Sequence, residues 1–407
     1  MTKTLICLLS QQHVPNLLSV NYWKPDRLIL VETAGMKSKK ASEDFCNALQ
    51  ISNPNRQKYC EIIPIPMGKD SDFQTMFATF GKLITDASPD TEWIVNLTGG
   101  NKPMSIAAYE AFSRAANRRF IYTDIGASNK FVDFLTGKES VFDHKLSIEE
   151  FLTGYGFEYQ KPIEAVRRAE ERAKKHIEAA IIMAKHAMNI RCWRHNALNN
   201  NRERVDKFKN QKPGKTLDLE KNDLAPNIAE VRNVFCKMFG FTVQDGYLTG
   251  KIDKYVAKFI DGGWLEDFFW YILNQNQKEL GLLEVRLGLE VRGKRGDTQP
   301  HELDVTFMKD DYTFEFMECK SGSQKHDEKG NIFYRIEAVR KMPGAGRTKS
   351  YFVTNSETFS EDGDKLKNAS LERRAKSYDC KPILGNAIEC LARNPDAATI
   401  KNIFGWK

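Results

Sequence analysis

The residues best equipped for chemistry lie in the second half of the chain. His301-Glu302-Leu303-Asp304 is followed, with thirteen residues between, by Glu318-Cys319-Lys320. In a strand, residues i and i+2 project to one face, so Glu318 and Lys320 point together, with Phe314 and Phe316 as an apolar floor on the same face. The polar turn Lys309-Asp310-Asp311-Tyr312 folds strand 302–308 back on strand 313–320 and predicts that Asp304 meets Glu318. Two carboxylates and an ammonium then converge at one end of a hairpin. Oxygen donors of this kind suit Mg2+ or Mn2+, which keep several of their waters. Such an ion activates water and stabilises charge on a phosphoryl oxygen, and Lys320 would hold or deprotonate the water or steady the phosphate. The plainer alternative is an exposed, salt-bridged strand pair. His301 reads more simply as an exposed histidine than as a ligand. Glu302 is either a third ligand or a surface charge.

A second constellation lies near residue 100. The run Asn96-Leu97-Thr98-Gly99-Gly100-Asn101-Lys102-Pro103 follows an apolar strand pattern and opens a helix. Two glycines allow close backbone approach, Pro103 suits a first helical turn, and free N–H groups with Lys102 attract an anion. The spacing matches neither a P-loop nor a dinucleotide fingerprint. The loop Ser10-Gln11-Gln12-His13 offers amides and a hydroxyl, and Thr33-Ala34-Gly35 is small and polar. A tight turn with glycines for shape is the competing reading of residues 98–102.

These groups need a scaffold. Apolar runs at 5–9, 27–32, 59–65, 93–97 and 120–123 alternate with helical patterns at 13–22, 37–50, 70–88 and 103–117. The alternation predicts a parallel, doubly wound sheet whose ligands sit beyond the carboxyl ends of the strands. Residues 161–189 read as one long charged helix, followed by a polar, Asn- and Lys/Arg-rich connector. From about 225 a second α/β domain begins, with an apolar helix at 263–273 that carries Glu266.

Composition agrees with two cores. Of the 407 residues, 41% are hydrophobic, so global disorder is excluded. The formal net charge is +7, and it resides in the middle, where residues 161–224 hold 16 basic and 9 acidic side chains. That distribution excludes a uniformly cationic protein. It leaves the middle segment as either a solvated linker or a nucleic-acid-contacting surface. The eight cysteines include no C-x-x-C and read as reduced thiols. No apolar run reaches the roughly 20 residues of a membrane helix, which predicts a cytoplasmic protein with no membrane partner.

Residues 1–150 resemble the CARF domain, the CRISPR-associated Rossmann-like sensor of cyclic oligoadenylates. The Thr98-Gly99-Gly100-Asn101-Lys102 and Ser10–Gln12 loops carry the resemblance. It implies a homodimer holding one cyclic tetra- or hexa-adenylate across its two-fold axis, with both Lys102 side chains and both helix N-termini facing the ligand. The ligand residues would be Ser10, Gln11, Gln12, Thr33, Thr98, Gly99, Gly100, Asn101 and Lys102.

The D-x(13)-E-x-K spacing resembles the PD-(D/E)XK nucleases, with Leu303 where the name has proline. That resemblance implies Asp304, Glu318 and the Cys319 carbonyl as metal ligands. Lys320 would serve the water or phosphate, and Glu266 would be an assisting acid from the first core helix. Together the halves resemble the CARF-linked nucleases of type III CRISPR systems. The implied order is an N-terminal Rossmann-like CARF sensor over 1–155, a helical basic linker over 156–224, and a restriction-endonuclease-like α/β domain over 225–407. The implied activity is metal-dependent hydrolysis of DNA and/or RNA in antiviral defence, switched on by cyclic tetra-adenylate. The rivals are a ligand-responsive nucleic-acid-binding regulator with an inactive nuclease fold, and an enzyme that degrades its cyclic ligand. Intact Asp304, Glu318 and Lys320 argue against the first.

Overall fold

Runs that are apolar on both faces become central strands, because only a sheet covered by helices on both sides buries both faces. Leu5, Ile6, Cys7 and Leu8 are fully buried for this reason. The computed structural model describes residues 1–52, 60–64, 72–123, 129–191, 208, 213–219, 228–293, 300–321, 332–340 and 348–406. The N-terminal part runs β1 (Thr2–Leu8), α1 (Val14–Trp23), β2 (Arg27–Glu32), α2 (Ala34–Ser38), α3 (Ala41–Ser52), β3 (Cys60–Pro64) and α4 (Phe73–Thr85). It continues through β4 (Thr91–Asn96), α5 (Lys102–Phe112), β5 (Arg118–Thr123), β6 (Lys130–Asp133) and β7 (Glu139–Val141). The sheet order is β3-β2-β1-β4-β5-β6-β7, the first five strands being parallel.

Two details differ from the sequence pattern. The helix expected over 37–50 is two helices, α2 and α3, and Lys40 between them takes a positive φ of 56°. A short antiparallel pair, β6 and β7, extends the edge beside β5. Its strands are too brief and too exposed to leave a periodic signal.

The chain continues through α6 (Ile148–Gly154), β8 (Phe157–Tyr159), α7 (Ile163–Lys185), β9 (Thr216–Leu219), α8 (Ala229–Phe239), β10 (Thr242–Gln244), β11 (Tyr247–Asp253) and α9 (Lys254–Lys258). A π-helical turn (Phe259–Gly263) leads into α10 (Trp264–Gln275), and β12 (Leu282–Gly293), β13 (His301–Lys309) and β14 (Phe314–Lys320) follow. The remainder is α11 (Ile332–Arg340), β15 (Lys349–Thr354), α12 (Ala369–Ser377), β16 (Cys380–Ile383), α13 (Gly385–Arg393) and α14 (Ala397–Phe404). The second sheet is ordered β16-β15-β14-β13-β12-β8, parallel from β14 to β16 and antiparallel from β14 to β8.

The segment expected as a basic linker is built into this second layer. β8 pairs with β12, and α7 buries Ala173, Ala179, Ala180, Met183 and Ala184 in the core shared with α8, α10 and α13. Small side chains let the helices approach closely, so a helix that looks charged overall still owns an apolar face. Most of the polar connector over 191–223 lies outside the described residues.

The two halves also touch. Phe151 stacks on Phe314 at 5.6 Å, and Tyr312 Oη donates to the His144 carbonyl at 3.3 Å. The Ile148 N–H, at the start of α6, donates to Glu284 at 2.5 Å. Arg286 then pairs with Glu284 and reaches Glu170 on α7 at 3.3 Å. Among the described residues, no helix is long and apolar enough to cross a membrane.

Candidate active site

The β13–β14 ladder pairs Val305 with Met317, so Asp304 and Glu318 face each other one step beyond it. The hairpin thus brings together the carboxylates that sequence spacing paired. Both are buried. Asp304 Oδ2 accepts the Cys319 N–H at 2.7 Å. Lys320 Nζ stands 2.7 Å from Glu318 Oε1 and 3.7 Å from Asp304 Oδ2, and it donates to the Cys319 carbonyl at 3.1 Å. Burial, then the charges of Glu318 and Glu266, push the Asp304 carboxyl well above the usual range. Burial opposes the charge on Lys320, but Asp304 and Glu318 outweigh it and hold the ammonium above its ordinary pKa.

Glu266 joins from α10. The chain enters that helix through Gly262, whose φ of 139° few other residues adopt, and Gly263, where a Cβ would sit 3.1 Å from the Lys258 carbonyl. Trp264 Nε1 donates to Ser321 Oγ at 3.1 Å, which ties the first turn of α10 to the residue after Lys320. Glu266 thereby shares the field of Lys320 and Glu318, and burial first, with Glu302 and Glu318 adding, raises its pKa. Glu302 is committed elsewhere, to Lys258 at 3.5 Å. His301 is half-buried at the start of β13. Trp264, Ser321 and Lys258 had no assigned role in the sequence reading. Their positions follow from contacts across more than 40 residues of chain.

The cluster opens on a cleft of about 770 Å³ whose lining includes Glu266, Glu302, Cys319 and Lys320 together with residues of α7 and α9. Among the described residues, no three His, Cys, Asp or Glu side chains form a ready metal cage. The available donors are two carboxylates and one carbonyl. This hard-oxygen set fits Mg2+ or Mn2+, which take one or two protein carboxylates and complete their shells with water. The like-charge crowding at Asp304, offset locally by Lys320, is a field that a divalent cation would relieve.

The sensor-like rim sits where strand order reverses, between β1 and β4. Gly99 has no alternative, because a Cβ there would fall 1.8 Å from the Leu8 carbonyl oxygen, and Gly100 has a φ of 72°. Most of the predicted ligand groups shape their own loops. Thr98 Oγ1 accepts the Thr123 N–H at 2.8 Å, and Asn101 Oδ1 caps α5 through the Met104 N–H at 2.9 Å. Thr33 caps α2 through Met36, and Ser10 Oγ accepts the Gln12 N–H at 3.2 Å. Gln11 and Lys102 remain exposed on the rim, with Gln12 half-buried. Underneath, Asn96 Nδ2 donates to Asn16 Oδ1 and Ser19 Oγ, and Asn16 donates to the Leu8 carbonyl. The signal for this missed layer was a polar residue closing the apolar run at 93–97. His13 is buried beside Phe45 and Tyr155, and burial lowers its pKa to about 4.

Two layers of comparison agree with this division. Residues 4–151 match the family model of the Card1 CARF domain, and residues 253–368 match that of the Card1-like endonuclease domain. The molecule is therefore a CARF sensor domain joined to an endonuclease domain. The chain belongs to the CARF-domain nucleases of type III CRISPR systems.

Among solved structures, Can2 from Sulfobacillus thermosulfidooxidans, in complex with cyclic tetra-adenylate, is 20% identical. That match covers 97% of this chain and 100% of the other, with a TM-score of 0.63. Protein VC1899 from Vibrio cholerae is 15% identical over 96% of each chain, with a TM-score of 0.70. At these identities the likeness is one of fold. Among curated proteins, none matches the sequence.

Proposed function

We propose that the protein is a metal-dependent endonuclease of the PD-(D/E)XK kind, activated by a cyclic oligoadenylate, with cyclic tetra-adenylate as the first ligand to test. One observation carries the catalytic part: Asp304, Glu318 and Lys320 converge within ion-pair distance, with Glu266, beside a large cleft. Asp304, Glu318 and the Cys319 carbonyl would hold Mg2+ or Mn2+. When bound, such an ion supplies a Lewis acid for the phosphoryl oxygen and acidifies water. Lys320, kept as an ammonium by its two carboxylates, donates to the phosphate as charge builds there. Glu266 shapes the field around Lys320 and orders water on the α10 side. The substrate is DNA and/or RNA.

The sensor part is assigned to residues 1–155 and the nuclease to 225–407, with 156–224 joining them and supplying β8 and α7 to the nuclease layer. The rim of Gln11, Lys102 and the α5 N-terminus takes the anionic ring. A homodimer would place two such rims on one ligand. Exposed Ile106 and Tyr109 on α5, with Tyr122 on the neighbouring β5, offer the apolar surface for it. A ligand that activates must contact the active arrangement better than the resting one.

The test is cleavage of labelled DNA and RNA with Mn2+, with and without each cyclic oligoadenylate. Cutting that appears only with ligand and vanishes in Glu318→Gln is expected. No cutting in any combination overturns the nuclease reading, and cutting that ignores the ligand overturns the sensor reading.

A further inference from the structure

Besides Glu266, Asp267 and Glu302, the cleft has a basic wall. Arg168 and Arg172 on α7, and Lys254 and Lys258 on α9, line it with Tyr255. The other charges of α7 show what is unusual about its two arginines. Glu170, on the back of the helix, pairs with Arg286, and Glu178 pairs with Lys237. Among the described residues, Arg168, Arg172 and Lys254 make no ion pair within 4.0 Å. Arg172 instead lies over the Tyr255 ring at 4.0 Å, with Lys254 5.2 Å from the same ring. The wall is also fixed in place. α7 is buried along its alanine face, and α9 is held by its Asp253 cap and by the π-helical turn behind it.

Arg168, Arg172 and Lys254, outside ion-pair distance of any described carboxylate although Arg172 feels the charge of Asp267, line a concave surface shared with Lys320 and are placed for a row of anions. A partly exposed tyrosine among them offers a flat face at the same level. We propose that this wall is a binding track for a nucleic-acid strand. In this site Arg168, Arg172 and Lys254 take consecutive backbone phosphates, and Tyr255 stacks one base. Lys258, already drawn toward Glu302, takes the phosphate nearest the carboxylates. The inference rests on the nuclease reading, and it assigns that site's substrate contacts to the helix of the basic middle segment, which sequence alone left as either a linker or a nucleic-acid-contacting surface.

The test uses the full chain, saturated with cyclic tetra-adenylate, in EDTA, so that binding is read without cleavage. The probe is a short fluorescein-labelled single strand, with an abasic copy and a duplex copy, followed by anisotropy over a salt series. Arg168→Gln and Arg172→Gln should each weaken binding several-fold at low salt and reduce the slope of log K against log salt by about 1. Tyr255→Leu should cost about tenfold on the normal strand, little on the abasic strand, and be restored by Tyr255→Phe. Unchanged affinity and slope in both arginine variants would overturn the track. Equal loss for Tyr255→Leu on normal and abasic strands would overturn the stacking role. Stronger binding of the duplex than of the single strand, insensitive to Tyr255, would also overturn that role. Failure of the nuclease reading is seen separately, as a strand that binds with the full salt slope yet is never cut when Mn2+ is restored.

Discussion

The hairpin β13–β14 carries two lysine–carboxylate groups, one at each end, and they have been put to opposite uses. Near the turn, Glu315 is fully buried. Lys309 Nζ lies 2.9 Å from its carboxylate, and Tyr351 donates to it at 2.6 Å. Trp406 donates in turn to Tyr351 Oη at 2.7 Å, and Lys309 sits 4.0 Å from the Trp406 ring centroid. That end is closed: Glu315 Oε2 accepts from Tyr351, and Oε1, which has no hydrogen-bond donor of its own, lies in ion-pair range of Lys309. At the far end, Asp304, Glu318 and Glu266 crowd around Lys320, with Lys258 adding its charge from α9, and open on a cleft. The first arrangement minimises its own energy. The second keeps negative charge concentrated where a cation and a phosphate can use it. Residue type does not separate the two ends; partnering does.

The comparison breaks if the two ends respond alike to loss of charge. The largest effect expected is on activity. Glu318→Gln should lower cleavage about a thousandfold or more, roughly 4 kcal/mol of transition-state stabilisation, while thermal stability holds or rises as repulsion is relieved. Assays of rate and melting on one preparation check both. Glu315→Ala should do the reverse, keeping the rate per folded molecule while costing about 3–4 kcal/mol in denaturant unfolding, because Lys309 is left without its buried partner.

The sensor half extends the contrast between closed and open groups. His13 is buried neutral, its pKa lowered from 6.5 to about 4 by burial. The unfolded chain therefore binds that proton more tightly. Its contribution to stability is intact above pH ~6.5 and lost as pH falls to ~4, by about 3 kcal/mol. The difference between wild-type and His13→Phe unfolding curves across that window measures it, and parallel curves would refute it. Tyr351→Phe removes the bond to the buried Glu315 carboxylate and the acceptor of Trp406, and should cost about 2 kcal/mol, with activity unchanged. Smallest is Lys102→Ala, an exposed rim charge. It should weaken cyclic tetra-adenylate binding about tenfold at low salt and less at high salt, read by calorimetry, with no change in melting of the free protein.

Much of this was legible in the chain. The five parallel strands of the first sheet fell where the apolar runs did, and the D-x(13)-E-x-K spacing placed Asp304 beside Glu318, because strand parity and a tight turn are local rules. Other features were not. Thr98, Asn101, Thr33 and Ser10 read as ligand groups; Asn101, Thr33 and Ser10 each also spend a side-chain oxygen on their own loop, and Thr98 spends its on the end of β5. Helix α7 read as a linker because its mean polarity hides an alanine face that has meaning only against α10.

By itself, the sequence determined the elements, the order of the two halves and the identity of the acids and lysines able to act. Period and spacing act between near neighbours and survive in one dimension. Only the tertiary structure decided which of those groups are closed by partners and which are left to a ligand. Tyr351 and Trp406 seal Glu315 from 36 residues and more away, and Ser321 positions Trp264 from 57 residues away. The cost of leaving a buried charge open depends on neighbours that only folding brings together.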